Sequence, residues 1–242
     1  MLKAAATDRL TAALGHRPVT RGLATIFVVL LLIDVLLLVV NVIVRIAVGN
    51  DIPSLLSVSE DASLGEWFGY LKLGAAAAVL LMVWRLTRQA VYVVLAVILA
   101  TIVLDDALQL HEHAGEAIAG VLTLSGGAGL RSLDVGELTA WAIAALALGI
   151  PLVLTYLRST RETRKYVQLV AYGLAVLVVF AVGVDMARYL FVSGSAAVNL
   201  AMGALESLGE LASMTLLVVM TLFIYDAVRP RAEDRNAAAD HK

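Results

Sequence analysis

Six long apolar stretches recur along the chain, and each is separated from the next by a polar or charged segment. Their approximate bounds are 22–44, 67–84, 90–110, 136–157, 166–190 and 198–225. A helix needs about 20 apolar residues to cross the roughly 30 Å of bilayer hydrocarbon, where every backbone polar group must be bonded within the protein. The sequence therefore predicts an all-α, polytopic membrane protein in which residues 22–226 form a bundle of six transmembrane helices.

The composition indicates the same class of protein. Apolar residues make up 61% of the 242 residues and charged residues 16%, whereas a soluble domain averages about 45–50% apolar. The chain has no cysteine, which excludes disulfides and thiolate metal ligands. Histidine and the carboxylates are then the strong metal ligands that remain.

Basic residues are distributed unevenly between the two sides of the predicted bundle. With a cytoplasmic N-terminus, 14 of the 18 lysine and arginine residues fall on the cytoplasmic side. The positive-inside rule then predicts that both termini are cytoplasmic. We expect the protein in the inner (plasma) membrane, with residues 1–21 as a cytoplasmic or interfacial segment and residues 227–242 as a disordered, charged cytoplasmic tail.

Ionisable residues are concentrated at the end of the third apolar stretch, in LDDALQLHEHAGE, residues 104–116. A continuous helix turns about 100° per residue, so one arc of its surface would hold six polar side chains: Asp105, Asp106, Gln109, Glu112, His113 and Glu116. His111 would point away from that arc. The helical pattern therefore favours His113 over His111 as the histidine of a site.

Carboxylates of two further stretches are predicted at a similar depth. At about 1.5 Å per residue, the outer third of the hydrocarbon is reached by a set from three helices: Asp105, Asp185, Glu206 and Glu210. An ionised carboxylate at such depth costs at least about 2.5–3.5 kcal/mol on insertion scales. The nearby bases Arg45, Lys72 and Arg188 are fewer than the acids, so protons or a bound cation must supply further compensation.

The preferred hypothesis is a divalent-metal site near the outer leaflet, since helical bundles hold iron, manganese or zinc with carboxylate and histidine ligands, and calcium also takes carboxylates. The candidate ligands are Asp105, Asp106, His111, Glu112, His113, Asp185, Glu206 and Glu210. The candidate supporting or substrate-contacting residues are Lys72, Gln109, Arg188 and Tyr189. If the protein is an enzyme, this depth predicts a membrane-embedded metalloenzyme acting on a lipid-like substrate.

Two alternatives stay open. The first is a structural or accessory membrane subunit, in which buried ion pairs such as Asp185 with Arg188 and protonated carboxylates hold the helices together or dock a partner. In the simplest interpretation of the single residues, Lys72 either snorkels or pairs with a carboxylate, and Asp34 hydrogen-bonds a neighbouring helix. The second is a proton- or ion-coupled transporter, although the inner half carries almost no ionisable residue beyond Asp34. Membrane lipids are the expected partners, together with a homo-oligomer or partner subunit in the first alternative, and no nucleic acid is expected.

The string DDALQLHE, in which four residues separate Asp105-Asp106 from His111-Glu112, resembles a motif of uncharacterised bacterial multi-pass membrane proteins. The resemblance implies no known activity, but it puts His111 at the motif position. A bend near Gly115 or a break in the helix would turn His111 toward the other candidates.

Overall fold

The structure, a computed structural model, describes residues 21–48, 53–57, 63–121, 131–184, 186–187 and 196–240. All regular elements in these ranges are helical. The α-helices are α1 (Arg21–Val48), α2 (Leu64–Thr87), α3 (Val91–Ala107), α4 (Leu110–Val121), α5 (Ser132–Arg158), α6 (Arg161–Val178) and α7 (Ala196–Asp240). A short 3₁₀ turn covers Ser54–Leu56, and a π-helical segment, Val179–Val184, follows α6 directly.

The predicted all-α fold is confirmed for the described residues, and so is the presence of several helices long and apolar enough to span a membrane. Five helices are long and apolar enough to cross a membrane, and the number rises to six if α3 and α4 together form one span. Those two helices are bent by 73° relative to each other. The third stretch is therefore not the single helix over 90–110 that hydropathy predicts, because hydropathy alone cannot register a break in the backbone.

The last helix is longer than the sequence predicts. It continues to Asp240, so residues 227–240 are helical and the prediction of a disordered tail is wrong there. Alanine, glutamate and arginine are good helix formers. Because the segment extends an existing helix, it also avoids the costly nucleation step that a separate helix would need.

The hydrophobic core lies between α2, α3, α6 and α7. Leu80, Leu99, Val170 and Leu217 are fully buried there, one from each helix. α7 packs against α1, α2 and α6, and α2 packs against α3 on another side. α4 and α5 pack mainly against each other and join the rest through α3, so they form the edge of the bundle.

A buried ion pair connects α1, α2 and α7. The Lys72 Nζ atom lies 2.7 Å from Asp34 Oδ1, and it also donates to the Leu211 carbonyl oxygen at 2.8 Å and to Thr215 Oγ1 at 3.3 Å. The Thr215 hydroxyl donates to Asp34 Oδ2 at 2.7 Å. Of the two alternatives for Lys72, snorkelling or pairing with a carboxylate, the structure shows the pairing, and the prediction that Asp34 bonds to a neighbouring helix is confirmed.

The protein itself supplies a hydrogen-bond partner for every donor of the Lys72 ammonium group. An ammonium group has three donors, and Lys72 has an acceptor for each of them, with the Phe68 ring centroid a further 4.6 Å away. Both charged side chains are almost completely buried. Removing one charge from such a pair is far more costly than removing both.

Removal of the Asp34 carboxylate is expected to destabilise the protein strongly. Asp34→Ala leaves the Lys72 ammonium buried without its counter-charge, a change that costs about 3–5 kcal/mol in comparable buried pairs. Asp34→Leu combined with Lys72→Met removes both charges, so we expect the double variant to be more stable than Asp34→Ala. Thermal unfolding in detergent, followed by size-exclusion chromatography, measures both effects.

The matched control is Asp226→Ala, which removes an exposed carboxylate from α7 and should leave Tm unchanged. A wild-type Tm for Asp34→Ala would show that the ion pair does not hold α1 against α2 and α7.

Candidate functional site

The candidate site forms at the break between α3 and α4. Gln109 has a φ of 49°, a left-handed conformation that commonly ends an α-helix. Its N–H bonds to the Asp106 carbonyl at 3.2 Å, and its own carbonyl accepts from the His113 N–H at 3.1 Å. The first contact closes α3 and the second belongs to the start of α4.

The break changes which side chains meet. Asp105 lies on α3 and His111 on α4, and the bend brings His111 Nδ1 to 2.8 Å from Asp105 Oδ2. The expectation that a break would turn His111 toward the acids is confirmed. The predicted continuous stripe is wrong, because its members Asp105 and Glu112 belong to helices that point in different directions.

The His111–Asp105 pair is partly shielded, with 21% and 14% of the two side chains exposed. A carboxylate bonded to Nδ1 orients an imidazole ring, and the ring then presents Nε2 to any further partner. On the other side, the ring centroids of His111 and Trp141 are 5.6 Å apart, with the planes tilted by 35°. The imidazole is thus held between a carboxylate of α3 and an indole of α5.

An open groove of about 320 Å³ runs between α3, α4 and α5 past this pair. Its walls are largely apolar and include Ile118 and Ile143, while Asp105 and His111 are its ionisable lining residues. Thr101 lines it one helical turn from Asp105. The groove therefore combines a long apolar surface with one polar end.

Two glycines allow α4 to lie directly on α5. A Cβ atom added to Gly136 would collide with the Gly115 carbonyl, and one added to Gly115 would collide with the backbone and side chain of Glu137. Such small residues permit the closest approach of two helices. This contact positions His111 beside Trp141 and so forms one wall of the groove.

Further carboxylates surround the polar end. Glu137 on α5 is close enough to interact electrostatically with both His111 and Glu112. On the α2 side, the Tyr70 hydroxyl donates to Glu66 Oε2 at 3.3 Å and also interacts with Asp106. Carboxylates of α3, α4 and α5 thus approach the polar end of the groove, while Glu66 and Asp106 interact with Tyr70 on the α2 side of α3.

Sequence reasoning left Glu137 and Trp141 out of the candidate site. The two residues are one helical turn apart and therefore share a face of α5. That spacing was a usable signal, but only the docking of α4 shows that this face lines the groove.

The other candidates of the LDDALQLHEHAGE segment are less enclosed. Glu112 and His113 are exposed, and His113 Nδ1 donates to the Gln109 carbonyl oxygen at 2.7 Å. The helical phase that favoured His113 assumed an unbroken helix, and in the structure it is His111 that meets Asp105 and lines the groove.

The remaining candidates lie elsewhere or outside the described residues. Glu206 and Glu210 are half-buried on α7, which packs against α1, α2 and α6 rather than mainly against α3 or α4. Lys72 is bound by Asp34 in the bundle interior, away from the groove between α3, α4 and α5. The predictions for Asp185, Arg188 and Tyr189 fall outside the described residues.

No group of three or more histidine, aspartate and glutamate side chains is arranged to hold a metal ion in the described ranges. Asp105 and His111 are a pair rather than a complete ligand set. The predicted metal ion, and the meeting of acids from three helices around it, therefore stay predictions.

The chain belongs to the family described as "Domain of unknown function (DUF8692)", whose model matches residues 23–225. The match runs from α1 into α7 and includes the whole groove. No curated protein and no solved structure matches the chain.

A larger residue at Gly136 is expected to separate α4 from α5. Gly136→Leu cannot keep the contact with the Gly115 backbone, and overpacking of this kind costs about 1–3 kcal/mol. The groove wall should loosen, which maleimide labelling of Ala114→Cys measures, since the chain has no cysteine of its own. We expect a several-fold faster reaction in Gly136→Leu.

Gly149→Leu is the matched control on the same helix, because nothing lies within 4 Å of a Cβ atom at that position. Labelling at Ala114→Cys should be unchanged there. Equal labelling rates in both leucine variants would contradict the role of the glycine contact.

Proposed function

We propose that this protein binds a lipid-like amphiphile in the groove between α3, α4 and α5. In this proposal the apolar walls hold a hydrocarbon chain and the His111–Asp105 pair contacts the polar group. The main observation in support of this proposal is that the oriented His111–Asp105 pair lies at one end of an otherwise apolar groove. Concave apolar sites with a few placed polar groups are the usual form of small-molecule sites.

The size of the groove supports such a ligand. Ligand sites typically enclose about 300–1,000 Å³, and the groove has about 320 Å³. It is open to the surface of the bundle, where Ile143 and Leu146 of α5 are largely exposed. In a membrane that surface is in contact with lipid, so an amphiphile can enter sideways without crossing water.

The proposed orientation places the groove toward the outer leaflet. It follows from the excess of basic residues at the ends of α2, α5, α6 and α7 that would then be cytoplasmic. α3 starts on that side, so its Asp105 end lies on the opposite side. The ligand would accordingly be taken from the outer leaflet of the inner (plasma) membrane.

The chemistry open to the pair is hydrogen bonding and proton transfer. A histidine oriented by a carboxylate can accept a proton from a hydroxyl group or from water, as a general base does. Asp105 positions the ring, and His111 is the group that would contact the ligand. Trp141 closes the groove beside the ring and limits access by water.

Loss of the pair should weaken binding of the amphiphile. His111→Ala removes a hydrogen bond that involves a charged or polarised partner, worth about 1.5–3 kcal/mol, so retention should fall at least about tenfold. Trp141→Ala should also reduce binding, because it removes an apolar wall. Mass spectrometry of lipid that remains bound to protein purified in detergent, combined with photo-crosslinking, measures the effect.

Each variant has a close control. His113→Ala removes an exposed histidine two positions away, and Trp67→Ala removes a tryptophan that is 60% exposed on α2. Both should bind like wild type. If His111→Ala and His113→Ala retain equal amounts of the same lipids, that lipid is ordinary annular lipid and the proposal fails.

Metal removal distinguishes binding by the pair itself from the metal hypothesis. Because the proposal assigns ligand contact to the His111–Asp105 pair itself, we expect a chelator to leave lipid retention unchanged. Elemental analysis before and after chelation, on wild type and Asp105→Ala, provides the comparison. A stoichiometric metal whose removal abolishes lipid retention would favour a metal-dependent site instead.

A further inference from the structure

The polar end of the groove is rich in hydrogen-bond acceptors. The Asp105 carboxylate lines the groove and accepts from His111 Nδ1. When the ring is neutral with its proton on Nδ1, Nε2 carries a lone pair and accepts as well. The Asp105 carboxylate accepts in either protonation state of the ring, so a ligand group that bonds to it must donate a hydrogen bond.

The carboxylates around the pair act in the same direction. Glu137 of α5 interacts electrostatically with His111 and with Glu112 of α4. The Arg131 guanidinium also acts on Glu137, but it is bound to Asp134. A negatively charged ligand group placed at the pair would meet carboxylates from three helices.

Two basic side chains, one just before α5 and one on α2, are bound to acids of their own. The guanidinium of Arg131 donates to Asp134 Oδ1 at 2.6 Å and 2.9 Å. The Lys72 ammonium is bound by Asp34 in the bundle interior. These cations are therefore already engaged, whereas recognition of a phosphate relies on cationic donors such as arginine or lysine.

We propose that the polar group of the bound amphiphile is an uncharged or cationic hydrogen-bond donor, namely a hydroxyl or an ammonium, and that anionic phosphate groups are disfavoured. This inference rests on the proposed function, since it names the class of ligand for the same groove. It depends on the oriented His111–Asp105 pair within the cavity, and the neighbouring acids strengthen it. The donor contacts Nε2 of His111 while the chain lies along α4 and α5.

Three probes with one hydrocarbon chain test the inference. 1-Dodecanol, dodecylamine and dodecyl phosphate share the apolar part and differ only in the polar group. Each competes against a photoreactive long-chain alcohol for the full-length protein in nanodiscs of phosphatidylcholine. We expect the alcohol or the amine, or both, to compete at least about tenfold more strongly than the phosphate.

Comparing how strongly the alcohol and the amine compete shows whether the site recognises charge or hydrogen bonding alone. Stronger competition by the amine shows that charge contributes, and equal competition by both shows that hydrogen bonding suffices. Glu137→Gln should reduce the discrimination against phosphate, because it removes a carboxylate beside His111. The control is Glu162→Gln on α6, which is exposed and should leave discrimination unchanged.

Two failures are distinguishable. If dodecyl phosphate competes as well as the donors or better, the inference about the polar group is overturned while binding of an amphiphile stands. If no probe competes and the photoreactive alcohol labels His111→Ala as strongly as wild type, the proposed function is overturned as well.

Discussion

A lysine in the interior of an apolar helical bundle can remain charged only if the protein supplies its partners, and Lys72 has all of them. Asp34, the Leu211 carbonyl and Thr215 occupy its three donors, and they come from α1 and α7. Because three helices each contribute part of one network, their mutual positions are constrained by it. α3 then packs on α2 and α6 on α7, so the hydrophobic core is assembled around helices that this network connects.

The groove lies at the edge of that core and depends on a different interaction, the close contact between α4 and α5. α3 is fixed by its buried face against α2, whereas α4 lies across α5 through the close contact of Gly115 and Gly136. The break at Leu108–Gln109 lets the chain leave α3 and continue as α4 in a different direction. As a result Asp105 lies on a helix of the hydrophobic core, while His111 and Trp141 lie on α4 and α5 at its edge.

The Lys72–Asp34 network and the His111–Asp105 pair differ in how many hydrogen-bonding positions remain for a further partner. The Lys72 network is buried and satisfied, which makes it a structural element and a poor step in an ion pathway. His111 is bonded through one nitrogen and faces a cavity, so it can engage a ligand. The described residues thus contain a buried ion pair between Lys72 and Asp34 and, apart from it, a polar pair that lines the groove.

The sequence by itself determined the class of fold, because the length of an apolar stretch can be read directly from the chain. For Lys72 it left two alternatives, snorkelling or pairing with a carboxylate, and the packing of α1 against α2 and α7 decided for the pair with Asp34. The sequence did not reveal the break, since neither Leu108 nor Gln109 is a typical helix breaker. Without the break, helical phase selected His113 and a continuous acidic stripe. The tertiary structure alone decided that His111 meets Asp105, because that contact requires α4 to dock on α5 through two glycines whose proximity no local pattern encodes.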